Sequence, residues 1–302
     1  MVHRFKPRQV DTYFNITVRT AQKKFWLKNE DVKIAWENKL AQLVKAYYVK
    51  VFSQTIMSNH IHLILKVSHP PQDCADLKKR FEYLESTLIS RRKWHEHWQD
   101  RYYERFTDVS CFMRDLNQWI AAWHNKKKKT TGHLWGAAFS SKVVGDDQYL
   151  LTALAYNDLN AVRAGIVKRA GDFKYCTAGK LQAALDRGET PDFPAVGFLT
   201  HIKDQHRAEA YLLWLDYLAW NEKNPYSERP SLESFAEAIE TEGIDMSAIE
   251  VQILNKEPTD KSKPVFANNN FAREILEREG WNPGTRHREE KEPVYLDQGM
   301  KT

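Results

Sequence analysis

Polar and apolar positions alternate from Tyr13 to Arg19, with Phe14, Ile16 and Val18 set against Tyr13, Asn15, Thr17 and Arg19. A period of two predicts a strand with one buried face. From about Asp31 to Ala46 the spacing changes to that of a helix, with Ile34, Leu40, Leu43 and Val44 on a common face. Tyr47 to Ser53 and Ser58 to Val67 then read as two further strands, rich in Val49, Val51, Ile61, Leu63 and Leu65. His69-Pro70-Pro71 ends the second of them.

Residues from about Asp73 to Asp108 are helical in pattern, basic and aromatic, and include Trp94, Trp98, Tyr102 and Tyr103. Ser110 to His124 is amphipathic, and a lysine-bearing loop separates it from a short strand at Phe139 to Val144. Asp146 and Asp147 supply N-terminal charge to a helix from about Gln148 to Ala161, with Gly165 as its stop signal. Further helices are expected at Ala208 to Glu222, where Tyr211, Trp214, Leu215 and Leu218 form core positions, and at Ser231 to Glu242. The polar tail from about Pro283 is expected to be mobile. The order strand, helix, strand, strand, helix, strand, helix predicts an α+β fold: an antiparallel sheet with flanking helices, of the ferredoxin/RRM-like kind, followed by a mostly helical C-terminal extension.

Charge sharpens that division. Through Lys180 there are 31 Lys and Arg against 17 Asp and Glu, a balance of +14, whereas the remainder carries 14 basic and 23 acidic residues, a balance of −9. A basic first part and an acidic second part point to a polyanionic partner for the first alone. No run approaches the ~20 apolar residues of a membrane span, and the N-terminus lacks the apolar core of a signal peptide, so a cytoplasmic protein is expected. Cys74, Cys111 and Cys176 match neither a disulfide framework nor a zinc pattern.

Two short segments carry chemistry. In Ser58-Asn59-His60-Ile61-His62-Leu63, a strand would point both histidines to one face, roughly 7 Å apart, where both imidazoles can turn to one metal. A His-x-His alone is more often two histidines on a solvated strand. In Tyr156-Asn157-Asp158-Leu159-Asn160, Tyr156 and Asn160 stand one helical turn apart, so an asparagine oxygen could complete a two-histidine site beside a tyrosine. His95 and His97 repeat the spacing, but in a helix it separates the side chains by ~200°, which disfavours a shared metal.

Together these segments resemble the single-tyrosine HUH transposases, particularly the REP-associated tyrosine transposases. The resemblance runs from about Arg4 to Tyr175 and is carried by Met57–Leu63, by Gly132-His133-Leu134-Trp135-Gly136 with Phe139, by Asp146–Leu151 and by Tyr156–Gly165. It departs at Ala161, where the family often has proline, and at Ala138, where an arginine is common. The resemblance implies an HUH endonuclease domain at 1–180, with a helical insertion at about 71–108, and an acidic extension at 181–302. It implies Mg²⁺ or Mn²⁺ held by His60, His62 and Asn160, and Tyr156 as the nucleophile that yields a 5′-phosphotyrosine and a free 3′-hydroxyl.

The implied substrate is single-stranded DNA in a hairpin or palindromic repeat, with a homodimer and nucleoid association as further expectations. Lys126, Lys127, Lys128, Lys129, Lys142 and Arg163 are the candidate phosphate contacts. Trp94, Trp98, Tyr102 and Tyr103 could stack on bases, although helical packing is the simpler reading. His133 and Trp135 are assigned structural roles. Two other readings are a domesticated DNA-binding or regulatory protein on the same fold and a replication-initiation nickase. The intact His60, His62, Tyr156 and Asn160 disfavour the first, and the single tyrosine disfavours the second.

Overall fold

The computed structural model of the chain describes residues 10–87, 92–145, 147–201, 203–221 and 265–266. Asp146, the helix expected at 231–242 and the tail from Pro283 lie outside them. The strands are β1 (Thr12–Arg19), β2 (Val49–Ile56), β3 (His60–Val67), β4 (Ser140–Val144) and the two-residue β5 (Val265–Phe266). The helices are α1 (Glu30–Ala46), α2 (Cys74–Ser86), α3 (Gln99–Phe106), α4 (Val109–Lys128), α5 (Asp147–Asp158), α6 (Asn160–Arg163), α7 (Thr177–Leu185) and α8 (Arg207–Asn221).

The sheet runs β2-β3-β1-β4-β5; its first four strands are antiparallel neighbours, and β5 adds to β4 in parallel. With α1 joining β1 to β2 and helices joining β3 to β4, this is the expected α+β architecture, a ferredoxin-like arrangement. Alternation along β1 is complete: Phe14, Ile16 and Val18 are buried, and Tyr13, Asn15, Thr17 and Arg19 are half-buried. Register aligns the buried set with Leu65, Leu63 and Ile61 of β3, and all six side chains are at most 2 % exposed. Each side chain withdrawn from water in this way contributes ~1.5–3 kcal/mol before conformational entropy is subtracted.

α1 places Trp36, Leu40 and Leu43 in this core, whereas Ile34 is 44 % exposed and Val44 only half-buried. The expected face was therefore rotated: Val32, Trp36, Leu40 and Leu43 are the true i, i+4, i+8, i+11 stripe. The 71–108 region splits into α2 and α3 with a 3₁₀ turn at Glu96–Trp98. Asp73 caps α2 by accepting from the Ala75 and Asp76 amides, and Asp108 caps α4 by accepting from Ser110 and Cys111. The aromatics of this region pack on one another: Trp94 stacks on Tyr102 at 4.7 Å, Phe81 lies 4.6 Å from Tyr102, and the Tyr103 hydroxyl donates to the Pro70 carbonyl.

Three further local expectations change. Lys126, Lys127 and Lys128 form the last turn of α4, with Lys129 as its left-handed cap at φ +52°, so the lysine tract belongs to a helix end and not to a loop. Cations there are favoured by the helix dipole. His95 has extended backbone and precedes the 3₁₀ turn, which brings its ring to 5.6 Å from that of His97, where a regular helix would have held them apart. The helix expected at 148–161 is divided at Leu159 into α5 and α6.

α8, within the acidic region after 180, packs on the rest of the domain. Tyr211 and Leu215 are fully buried, Trp214 and Leu218 nearly so, and Arg169 pairs with Asp216 at 2.7 Å. No helix among the described residues is long and apolar enough to cross a membrane.

Candidate functional site

The second face of the sheet carries the chemistry. Antiparallel register sets His62 opposite Thr17 of β1 and Thr55 of β2, and sets His60 opposite Arg19. Directly paired residues share a face, so both imidazoles, both threonines and the Arg19 guanidinium lie on the side away from Phe14, Ile16 and Val18. The imidazoles meet edge-on with ring centroids 4.9 Å apart.

Each histidine has one ring nitrogen occupied. Asn59 donates its Nδ2–H to the Lys23 carbonyl at 3.1 Å, which turns Oδ1 toward His60 Nδ1 at 2.6 Å. An amide oxygen only accepts, so His60 Nδ1 carries the proton and Nε2 keeps its lone pair. The Thr17 hydroxyl takes His62 Nδ1 at 3.2 Å and leaves Nε2 as that ring's remaining nitrogen. Burial, aided by Arg19, pushes the His60 pKa down to about 4. Burial, then His60 and Arg19, pushes His62 down to about 3. Both rings are neutral at pH 7, the form that binds metals.

The other half arrives from α5 and α6. The Tyr156 ring lies 6.0 Å from that of His62, and the residue is 51 % exposed. Asn160 donates its Nδ2–H to the carbonyls of Tyr156 at 2.7 Å and Asn157 at 3.3 Å. That anchoring commits the nitrogen and leaves Oδ1 as the free acceptor. Arg163 sits 5.0 Å over the Tyr156 ring and donates to the Tyr156 carbonyl.

Between Tyr156 and Asn160, at the helix break, lies the buried Asp158. Its carboxylate accepts from the Tyr211 hydroxyl of α8 at 2.8 Å, from the Thr177 amide at the start of α7 at 3.1 Å and from Thr55 of β2 at 3.4 Å. Burial raises its pKa to about 7 in spite of these donors. Asp158 thus ties the tyrosine helix to the sheet, to α7 and to α8 at one point.

Of the residues expected to act together from sequence, His60, His62 and Tyr156 meet through ring contacts, while Asn160 and Arg163 hydrogen-bond the Tyr156 backbone carbonyl. Of the other expected DNA contacts, Lys127 is engaged by Asp31 at 2.7 Å and by the Trp123 ring, and Lys142 lies on β4 opposite Asn15, on the same sheet face as Thr17 and the histidines. Arg19, Asn59 and Asp158 escaped the sequence reading. Arg19 was visible only as the last polar position of β1, and its place beside His60 follows from register alone.

The donor chemistry present at the paired rings is that of two neutral imidazoles on one strand face, each with its Nδ1 engaged and its Nε2 left as a nitrogen donor of the kind divalent metals take. Among the described residues no group of three or more His, Cys, Asp and Glu side chains offers an alternative site.

The Gly132–Gly136 segment braces this region. Trp135 bridges to Thr20 and donates its indole N–H to the Asn117 carbonyl, and the Gly136 amide donates to the Arg19 carbonyl. A Cβ at Gly136 would stand 3.1 Å from the Thr20 carbonyl, a tight approach that a larger residue could make only if the β1 end shifted by a few tenths of an ångström.

No family model matches the sequence, and no curated protein matches it either. Among solved structures, the chain is similar to that of a REP-associated tyrosine transposase bound to a REP hairpin, at 14% identity and a TM-score of 0.42, over 65% of this chain and 98% of the other. At that level the likeness adds nothing to the topology and geometry already described.

Proposed function

We propose that this chain is a metal-dependent single-stranded DNA endonuclease and strand transferase that works through a covalent 5′-phosphotyrosine. The observation that carries the reading is the meeting of His62 with Tyr156, 6.0 Å between rings, beside a second histidine on the same strand face.

In this reading the Tyr156 hydroxyl attacks a backbone phosphorus in line. The O–P bond to Tyr156 forms as the bond to the 3′-oxygen of the preceding nucleotide breaks, the phenolic proton is released, and the 3′-oxygen leaves as a hydroxyl. The step exchanges one phosphodiester for another, so a second 3′-hydroxyl can reverse it and join a new strand. Mg²⁺ or Mn²⁺, held by His60, His62 and Asn160, would neutralise a non-bridging phosphate oxygen. Arg19 and Arg163 flank that position with positive charge and orient the phosphate. Asn59 and Thr17 fix the imidazoles, and Asp158 fixes the helix break that aims Tyr156.

The substrate class is a hairpin or palindromic repeat, as the sequence resemblance implies. Residues 1–180 would form the nuclease unit, and α8 of the extension would buttress its tyrosine helix.

The test is incubation with labelled hairpin DNA and Mn²⁺, scored for a covalent protein–DNA adduct on a denaturing gel. Wild type should form the adduct, and both Tyr156→Phe and His60→Ala should lose it. Binding without an adduct, across many hairpins and both metals, would overturn the enzymatic reading in favour of a DNA-binding protein without turnover.

A further inference from the structure

The connection between β1 and α1 stands out against the rest of the surface. Phe25 within it is 68 % exposed, the most exposed large hydrophobic side chain among the described residues. A lone exposed apolar residue is ordinary, but this one is held out by a loop that is fixed on both sides. Thr20 hydrogen-bonds the Asn59 carbonyl through its amide and its hydroxyl. The Ala21 amide donates to the Leu134 carbonyl, and the Leu27 amide to the Ser58 carbonyl. Leu27 is buried, and Trp26 lies 5.8 Å from His124 of α4. Gln22 and Lys23 both adopt left-handed backbone, at φ +56° and +54°, a conformation that non-glycine residues rarely take in succession. The loop therefore has a defined shape, and its shape projects the ring.

Positive charge shares that loop and the helix end beside it. Lys23, Lys24 and Lys28 are exposed within the loop, and Lys126, Lys128 and Lys129 are exposed at the adjoining end of α4. That end is held beside the loop by the Trp26–His124 contact and by the pairing of Lys127 with Asp31, at the start of α1. None of these six lysines forms an ion pair among the described residues.

The loop also reaches the His60 side of the site in two hydrogen bonds. The Lys23 carbonyl holds the Asn59 amide, and the Asn59 oxygen holds His60. An exposed aromatic side chain on a lysine-bearing loop, with Lys24 over the neighbouring Trp26 ring at 5.6 Å and no ion pair to any of these six lysines among the described residues, is the combination that binds single-stranded nucleic acid: the ring stacks on a base, and the cations track the phosphates.

We propose that the Gln22–Lys28 loop and the lysine end of α4 form a docking platform for single-stranded DNA, on which one unpaired base stacks against Phe25 and the flanking strand is led to the histidine pair. This rests on the proposed nuclease reading for the identity of the strand, but not for the binding itself.

The test separates the two. Binding of a fluorescein-labelled oligothymidine is measured by anisotropy in EDTA, where cleavage plays no part, and adduct formation on the hairpins is scored separately in Mn²⁺. Phe25→Ala should weaken oligothymidine binding about 5- to 150-fold, and Phe25→Trp should restore it. Lys23→Glu with Lys24→Glu should lower the slope of log affinity against log salt by about 1.4. Moving a single abasic site along the oligonucleotide should find one position where wild type loses affinity and Phe25→Ala loses none.

Affinity of Phe25→Ala within twofold of wild type, or an equal loss on duplex DNA, would overturn the platform even if wild type forms the adduct. Phe25-dependent binding by a protein that forms no adduct would uphold the platform and remove the nuclease.

Discussion

His60 and His62 are presented by a central strand of the sheet, whereas Tyr156 meets His62 from the helix that ends beside Leu159, and the two halves are held by different forces. The strand half rests on apolar packing: Ile61, Leu63 and Leu65 are fully buried on the opposite face, so a register slip would expose them, and the histidines cannot move without it. The helix half rests on a buried carboxylate that gathers donors from β2, α7 and α8. Packing spreads its contribution over many contacts, but a buried polar junction concentrates it in a few groups, and loses most when the shared acceptor is removed. Position on the strand side is therefore secured locally, and position on the helix side is secured by residues far away in the chain.

The strongest way to break this contrast is Asp158→Ala. It leaves the Tyr211 hydroxyl and the Thr177 amide without their acceptor, so urea unfolding should show a loss of roughly 2–4 kcal/mol. Adduct formation should fall with it, while Mn²⁺ affinity, read by electron paramagnetic resonance on the folded fraction, should fall less than in His62→Ala. Unchanged stability would mean that the junction is not what holds α5 and α6.

On the strand side the matching change is Asn59→Ala. It removes the oxygen that orients His60 without touching a ring or the core, and should weaken Mn²⁺ binding about 10- to 100-fold with a nearly unchanged unfolding curve. A large stability loss with intact metal affinity would reverse the assignment of Asn59 from orienting the imidazole to bracing the Gln22–Lys28 loop.

The two halves should also titrate with opposite sign. For the histidines the folded pKa values, about 4 and 3, lie below an unfolded value near ~6.5, so their contribution is present above pH ~6.5 and lost as pH falls toward them. For Asp158 the folded value, about 7, lies above the ordinary carboxylate range, so its contribution is present in acid and lost as pH rises through 7. Each proton involved changes stability by at most about 1.4 kcal/mol per pH unit. Asp158→Asn should therefore gain stability relative to wild type between pH 5 and 8, and His62→Ala should gain relative to wild type as pH falls below about 6. Parallel curves for wild type and both variants would remove the electrostatic part of the contrast.

The contrast explains what was legible in the sequence. Alternation at 13–19 and the His60–Ile61–His62 spacing define faces directly, because a strand has a period of two and its register follows from which face is buried. Tyr156 was legible as a helical residue one turn from Asn160, but the break at Leu159 was not, since no glycine or proline marks it. Nothing in the sequence around Asp158 marked it as a junction. Its partner Tyr211 is 53 positions away, and periodicity reports which face a side chain occupies, not which distant group meets it. Lys126–Lys129 were misread as a loop for a related reason: a polar run looks alike in a solvated loop and at the charged end of a helix.

The smallest expected effect is the most selective. Tyr211→Phe removes only one hydroxyl from Asp158 and keeps the ring that stacks on Phe193 at 4.4 Å. The other donors to the carboxylate remain, so the loss should be about 1 kcal/mol, the worth of one ordinary hydrogen bond. Tyr211 touches neither the histidines nor Tyr156, so Mn²⁺ affinity should stay at the wild-type value. If α8 steadies the helix break, the rate of adduct formation should fall severalfold at saturating DNA without a change in DNA affinity, and Tyr211→Leu, which also removes the ring, should lose more. An unaltered rate with the same loss of stability would make α8 a part of the core only, and would leave the aim of Tyr156 to Thr55 and the Thr177 amide.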